Sequence, residues 1–266
     1  MNKYLKPINY WRKIVFYKDK IIYEPSYNIE AISATEDEKF NHYGFDRHLA
    51  ISRIDQILKE LGQDEYLLQV HMASVHWLLF AAIAQNKNIE TILEIGTFDG
   101  QTTLLLSKIF PDAKIITIDL PDEDPIFQSS YQRENDAYRM EFLKKQVGNT
   151  SGENIKLLKK NSFFLNEIVK EQFDLIWVDG GHLYPEISWD ICNAYHLCKS
   201  GGWIMFDDII PNKKFKQDAA NSDSYDVLEY IKARIKSNIT YFLKRDKPEF
   251  SANPHKRKYV ALMQKR

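Results

Sequence analysis

Residues 92–105, ILEIGTFDGQTTLL, contain the pattern that predicts the fold. An apolar run carrying Glu94 leads into two glycines, Gly96 and Gly100, after which apolar residues recur at helical spacing. The pattern predicts a strand, a tight turn and a helix. Two glycines in such a turn indicate that a ligand comes close to the backbone there.

The turn lacks both common phosphate-binding patterns. A dinucleotide fingerprint needs a second glycine two residues after Gly96, and Phe98 stands there instead. The Gly-Lys-Ser/Thr of a P-loop is also missing. Asp119, at the end of the next predicted strand, is placed to bind both hydroxyls of a ribose. A ribose and a cation without phosphate describe S-adenosylmethionine, with Glu94 orienting the turn or binding the amino group of the ligand. An ordinary strand–turn–helix with structural glycines is the alternative.

From residue 89 onward the periodicity alternates between strand and helix. This alternation predicts βαβ units, and hence an α/β fold with a Rossmann-like, doubly wound, mostly parallel seven-stranded sheet whose last strand is antiparallel. Residues 89–266 are predicted to form the S-adenosylmethionine-binding domain. Residues 1–88 are predicted to be a helical N-terminal extension that acts as a lid or an interface. The predicted strands cover residues 90–96, 113–120, 155–160, 173–181, 203–209, 239–245 and 258–265.

Acidic residues follow two strands that are predicted to be neighbours. Asp179 ends the fourth strand, and Asp207 and Asp208 end the fifth. Adjacent strand ends lie about 4.8 Å apart, so these carboxylates should meet. Three carboxylates in one cleft repel each other unless they share a cation, and oxygen ligands suit Mg²⁺ or Mn²⁺. A turn after a strand is the alternative for the Asp207–Asp208 pair, and a helix cap is the alternative for Asp179.

Composition excludes several classes of protein. The chain has 266 residues and a net charge of -1, from 36 basic and 37 acidic residues, so no global field attracts nucleic acid. Its two cysteines, Cys192 and Cys198, fall within one predicted helix and have neither disulfide nor metal-site spacing. The N-terminal sequence has no signal-peptide pattern, which favours a cytoplasmic enzyme.

The apolar segment 66–85 resembles a membrane span in hydropathy. It is interrupted by Gln69, His71, Ser74 and His76, so a helix buried against the sheet is the better interpretation. The two histidines are five residues apart and would point in different directions, which disfavours a metal pair.

Four stretches together resemble a known motif series: ILEIGTFDGQTT, IITIDLP, FDLIWVDGGHLYPEISWD and GGWIMFDDI. They are similar to class I S-adenosylmethionine-dependent methyltransferases, and most similar to the metal-dependent small-molecule O-methyltransferases of the catechol and macrolide-sugar groups. The resemblance covers about residues 90–266. The glycine turn alone is a weak signal, whereas the four motifs in order at strand ends are a specific one.

The resemblance implies a role for each matching residue. The catechol enzymes have Lys at the base position and an amide as the last metal ligand, whereas this chain has His182 and Asp208, as the sugar-directed relatives do. His182 would be the catalytic acid–base, and Asp179, Asp207 and Asp208 would bind Mg²⁺ or Mn²⁺. The cofactor-binding residues would be Glu94, Gly96, Thr97, Phe98, Gly100, Thr102, Asp119, Leu120, Asn161, Ser162 and Asp179.

The leading functional prediction is metal-assisted O-methylation of a hydroxyl on a sugar or another polar small molecule, as in carbohydrate or natural-product biosynthesis. Three alternatives stay open: a metal-independent N- or O-methyltransferase, a nicotinamide-dependent oxidoreductase, and a non-catalytic cofactor-binding protein. The expected partner is a small-molecule hydroxyl acceptor, without nucleic acid or membrane. The aromatic-rich N-terminus makes a homodimer plausible. The lysines at 213, 214 and 216 form either a solvated basic loop or a phosphate-binding one.

Overall fold

The computed structural model describes residues 28–69, 73–211, 222–235, 237–247, 251 and 257–266. The expectations for the N-terminal aromatic residues before position 28, for His71 and for the three lysines at 213–216 therefore lie outside the described residues.

Seven strands form a single sheet in the order β3-β2-β1-β4-β5-β7-β6. Strands β1 to β5 run parallel, and β7 runs antiparallel to both β5 and β6. The predicted doubly wound sheet with a late antiparallel strand is therefore confirmed. The strands are β1 (Thr91–Ile95), β2 (Lys114–Asp119), β3 (Ile155–Lys159), β4 (Phe173–Val178), β5 (Cys198–Ile209), β6 (Ile239–Leu243) and β7 (Tyr259–Gln264).

Helices lie on both faces of this sheet, and the first three precede β1 in the chain. They are α1 (Ile29–His42), α2 (Arg47–Glu60), α3 (Val75–Asn86), α4 (Gln101–Ile109), α5 (Pro125–Ser129), α6 (Asp136–Asn149), α7 (Leu165–Ile168), α8 (Glu186–Leu197) and α9 (Ser222–Ile235). None of the helices in the described ranges has the length and apolar composition needed to cross a bilayer.

Two local predictions were wrong. The single helix expected over 66–85 begins only at Val75, and residues Tyr66–Leu68 form a short 3-10 turn instead. Cys198 was expected inside a helix but is the first residue of β5, because α8 ends at Leu197. Its side chain is buried, whereas that of Cys192 is exposed, and both cysteines are free.

Alternation along β4 divides the core into two layers. Leu175 and Trp177 face a cluster that also contains Phe40, Ile54 and Phe80 of the N-terminal helices. The residues between and beyond them face the opposite layer, where α8 packs. Such strands, buried on both sides, are expected in a parallel sheet. The N-terminal helices therefore share one core with the sheet.

Replacing Phe40 with Ala tests this shared core. Phe40 is fully buried and meets Phe242 of β6 edge to face, with 5.2 Å between ring centroids. The cavity should lower the free energy of unfolding by about 3–5 kcal/mol, measured by urea denaturation. Leu49→Ala on α2, where the side chain is 54% exposed, is the control and should stay within about 0.5 kcal/mol of wild type. An unchanged midpoint for Phe40→Ala would mean that these helices fold apart from the sheet.

Candidate active site

Gly96 lies where the turn after β1 touches the chain after β4. Its N–H donates to the carbonyl of Ile118 at 2.9 Å, and its φ is +100°. A Cβ atom at this position would lie 2.2 Å from the carbonyl oxygen of Asp179. The sequence predicted a close approach at Gly96, and the structure shows that the approaching group is the protein's own backbone.

The rest of the turn is also conformationally specific. Phe98 has a φ of +50° and keeps 43% of its surface exposed. Gly100 has a φ of +77° and precedes the first residue of α4. Left-handed backbone is rare for a side chain as large as that of Phe98, which marks the turn as a constrained segment. Thr102 is half-buried on α4.

Glu94 lies at the centre of a buried hydrogen-bond network next to the turn. Its side chain is fully buried and accepts hydrogen bonds from the hydroxyls of Thr103 and Thr117, the latter at 2.7 Å. The hydroxyl of Thr97 in turn lies 2.6 Å from that of Thr117. Burial raises the pKa of Glu94 to about 7. Its Oε1 atom has no hydrogen-bond partner among the described residues. The sequence analysis missed Thr103 and Thr117, although both lie on elements that it predicted.

Asp119 lies at the end of β2, as predicted. Its Oδ1 accepts from the N–H of Leu120 at 2.9 Å, and its Oδ2 accepts from Nε2 of Gln146 at 3.2 Å. Gln146 also donates to the carbonyl of Phe98 at 2.6 Å, and its Oε1 accepts from Lys159 at 2.5 Å. Gln146 thus ties the carboxylate to the turn. Burial raises the pKa of Asp119.

Asn161 and Ser162 lie beyond the end of β3. The side chain of Asn161 accepts from the N–H of Phe163 at 2.9 Å, so it caps the short 3-10 turn that follows. Ser162 hydrogen-bonds the carboxyl group of Asp190, whose pKa burial raises to about 6. Phe163 stacks on Trp189, with ring centroids 5.6 Å apart.

Asp207 and Asp208 interrupt the ladder of β5. The register of β5 against β7 shifts between Phe206 and Ile209, and Asp208 has a φ of +53°. Irregular pairing of this type redirects side chains at the edge of a site. Lys244 Nζ lies 2.5 Å from Oδ2 of Asp207 and 2.6 Å from Oδ1 of Asp208. The other oxygen of Asp208 binds Lys258 Nζ at 2.7 Å.

The structure does not confirm the expected metal centre. Asp207 and Asp208 meet around the ammonium of Lys244, and the carboxyl group of Asp179 lies within hydrogen-bond reach of Asp207. Over the described ranges, no group of three His, Cys, Asp or Glu residues is arranged to hold a metal ion. The residues present do not fit the cation that the resemblance implied.

Lys244 and Lys258 were not predicted from the sequence. The rule that was applied to the aspartates, that residues at the carboxyl ends of parallel strands meet at one edge of the sheet, also applies to them. Because β6 runs parallel to β5, Lys244, just after β6, lies at the same edge as the carboxyl end of β5. Lys258 precedes β7, and the antiparallel direction of β7 brings that start to this edge as well.

The pKa values of the three aspartates shift in different directions. Burial alone would raise the pKa of Asp207 and Asp208, but the ammonium of Lys244 lowers both, and Lys258 lowers that of Asp208 further. Burial and the neighbouring Asp207 raise the pKa of Asp179 well above its ordinary value. The Asp179 side chain keeps 30% of its surface exposed, so water moderates this rise.

His182 lies on the glycine-containing loop after β4. Its Nε2 is 3.6 Å from Oδ1 of Asp179, which is too long for a hydrogen bond. Its Nδ1 is buried and has no hydrogen-bond partner among the described residues, so the expected alternative of a bond to Tyr184 or a carbonyl does not apply. Burial lowers the pKa of His182 below its ordinary 6.5, which the nearby aspartates oppose. The imidazole is therefore neutral at neutral pH and able to accept a proton.

Comparison with known proteins finds a family model that matches part of this chain. Residues 93–209 match the family model described as a methyltransferase domain. This part of the chain is similar to a methyltransferase domain. It contains the glycine turn, Asp119, His182 and the aspartate pair, while Lys244 and Lys258 lie beyond it.

Solved structures share the fold of this chain. A provisionally assigned caffeoyl-CoA O-methyltransferase from Staphylococcus aureus is 14% identical, with a TM-score of 0.51 over 85% of this chain and 96% of that one. A provisionally assigned O-methyltransferase from Klebsiella pneumoniae is 14% identical, with a TM-score of 0.50 over 87% of this chain and 96% of that one. At these identities the likeness is one of fold.

A curated relative matches a shorter region. An uncharacterized protein of Acanthamoeba polyphaga mimivirus is 30% identical over 125 residues, which are 44% of this chain and 51% of that protein. The matched region thus spans about half the length of this relative.

Gly96→Ala tests why a glycine occupies this turn. The new Cβ would meet the carbonyl of Asp179, so the ligand-free protein should lose about 3 kcal/mol or more of stability in urea denaturation. Gly148→Ala on α6 is the matched control, because no heavy atom lies within 4 Å of its added Cβ. It should be neutral or stabilising by up to about 1 kcal/mol. If both variants unfold like wild type, close packing of the protein's own backbone is not what Gly96 serves.

Proposed function

We propose that this protein is an S-adenosylmethionine-dependent O-methyltransferase that acts on a hydroxyl of a sugar or another polar small molecule. The observation that carries the proposal is the imidazole of His182 on the loop after β4: burial lowers its pKa, and its buried Nδ1 has no hydrogen-bond partner among the described residues. Ligands of doubly wound folds bind at the carboxyl edge of the sheet, where the strand order reverses between β1 and β4.

The residues at this edge suit the proposed methyl donor. Asp119 offers a carboxylate to a ribose diol, and Gln146 holds it beside the turn. The buried Oε1 of Glu94 has no hydrogen-bond donor among the described residues. A cationic ligand bound at the turn would offset this unsatisfied acceptor. S-adenosylmethionine would supply an activated methyl group on a sulfonium.

The chain then has to position the acceptor and remove one proton. The acceptor oxygen forms a bond to the methyl carbon as the bond from that carbon to sulfur breaks, and the hydroxyl proton passes to His182. Proximity and alignment supply most of the rate, because the methyl group is already activated. A neutral imidazole contributes as the general base.

The side chains of Tyr131 and Phe98 support the proposal of a polar acceptor. The pKa of Tyr131 is raised by burial and then by the charges of Asp179 and Asp208. Tyr131 also packs edge to face on Phe98, with 5.0 Å between ring centroids. An aromatic rim over a charged floor suits a molecule with an apolar face and several hydroxyls.

Metal assistance was part of the leading prediction. Mg²⁺ takes no part in the proposed steps, because Asp207 and Asp208 are paired with lysine ammoniums. This arrangement favours the metal-independent alternative.

Replacement of Asp119 tests the donor assignment. Asp119→Ala should weaken S-adenosylmethionine binding by about 1–3 kcal/mol, as expected when hydrogen bonds to a charged group are lost. Titration calorimetry measures this, and thermal melts without ligand check the fold. Asp136→Ala, whose carboxylate is 83% exposed on α6, is the control and should bind as wild type does. Wild-type affinity in Asp119→Ala would remove the ribose assignment.

Replacement of His182 tests the base. His182→Ala should lower kcat by roughly 10²–10⁴ with unchanged S-adenosylmethionine affinity. The assay follows S-adenosylhomocysteine formation with a panel of sugars and polar hydroxyl compounds.

The pH profile adds a second measurement for His182. Because burial lowers its pKa below 6.5, wild-type kcat should stay high near neutral pH and fall as the pH drops through this lowered pKa. His182→Ala should lose this acidic limb, whereas the exposed His48→Ala should keep both rate and profile. A His182→Ala enzyme within a few-fold of wild type, with the same profile, would contradict the assignment.

A further inference from the structure

We infer that Lys244 takes the place of a divalent cation in this site, so that the protein transfers methyl groups without a metal ion. This inference rests on the proposed function. It follows from the disagreement between the predicted metal centre and the contacts that the carboxylates make.

The first observation is the tight, buried contact of the ammonium. Lys244 Nζ lies 2.5 Å from Asp207 and 2.6 Å from Asp208, and 8% of the lysine side chain is exposed. A cation that entered between the carboxylates would have to expel this ammonium from its partners. Leaving a buried charge without a partner is costly, so the lysine opposes metal binding.

The second observation is charge balance. Lys258 binds the second oxygen of Asp208 at 2.7 Å, so two ammoniums face two carboxylates. These four charges offset each other, and the neighbouring Asp179, whose pKa burial and Asp207 raise, adds a third carboxyl group to the cluster. A bound Mg²⁺ would add two positive charges beside the two ammoniums, which would repel it in this largely buried group.

The third observation is the backbone that fixes the lysine. The N–H of Lys244 donates to the carbonyl of Lys258 at 2.9 Å, and the carbonyl of Lys244 accepts from the N–H of Val75 at 2.9 Å. The lysine is thus held between β7 and the start of α3. Its position follows from the fold and does not depend on a flexible surface loop.

The ammonium can perform the electrostatic task of a metal. Two of its three N–H groups bind Asp207 and Asp208, and the third has no partner among the described residues. That N–H is available to the acceptor oxygen, where negative charge develops as the proton leaves for His182. A fixed positive charge in a largely buried site stabilises such charge effectively.

Manganese titration tests the inference independently of turnover. We expect wild-type protein to bind no Mn²⁺ at micromolar concentrations in paramagnetic resonance and to keep its activity after chelation. Lys244→Met frees both carboxylates, so it should gain a Mn²⁺ site and lose kcat. Lys244→Arg keeps the charge and should bind no Mn²⁺.

Lys199→Met is the matched control. Lys199 pairs with Asp174, with 2.9 Å between Nζ and Oδ1, at the opposite end of β4, and it lies outside the proposed site. Its loss should create no Mn²⁺ site and leave activity unchanged.

Each outcome decides the inference. One tightly bound Mn²⁺ per wild-type chain, with activity lost on chelation, would overturn it. A folded Lys244→Met variant without Mn²⁺ binding would also overturn the role of the lysine. If Lys244→Met does not fold, the wild-type and Lys244→Arg titrations still decide. Calorimetry with S-adenosylmethionine is run in parallel, because failure of wild type to bind it would refute the proposed function and leave the Mn²⁺ result intact.

Discussion

The contact between Gly96 and the backbone of Asp179 is the constraint on which the site depends. It joins the turn after β1 to the loop after β4 at the point where the strand order reverses. No side chain fits between the two segments, so each fixes the position of the other. The proposed donor turn and the loop that carries His182 are consequently one unit. A change that separates them would disturb the orientation of the base relative to the methyl group.

The site also depends on strands that lie outside the matched methyltransferase domain. Lys244 and Lys258 come from the antiparallel end of the sheet, and they neutralise the aspartates of β5. Because α3 contacts the backbone of Lys244 through Val75, the N-terminal helices also support this corner. The shared core of helices and sheet explains how residues distant in sequence hold one buried cluster.

Sequence patterns predicted the parts of this structure that arise from local periodicity. The bounds of β1 and β2 were located to within one residue because apolar runs end close to where the chain leaves the core. The partners of the aspartates were not predicted, because ion pairing across a sheet depends on strand order and direction. A lysine after an apolar strand is ordinarily a solvated residue, and only the parallel direction of β6 relative to β5 places Lys244 at this edge.

Cancellation of charge at the floor of the cleft has a consequence for how molecules reach it. Four opposed charges within hydrogen-bonding distance produce a field that decays rapidly with distance. Capture of an acceptor would then owe little to long-range steering, and its association rate should vary little with ionic strength. Discrimination between acceptors would fall to the aromatic rim, where Phe98 and Tyr131 offer ring faces and edges. The acceptor would therefore be selected by shape and by stacking on these rings, after diffusion that the charged cluster does not steer.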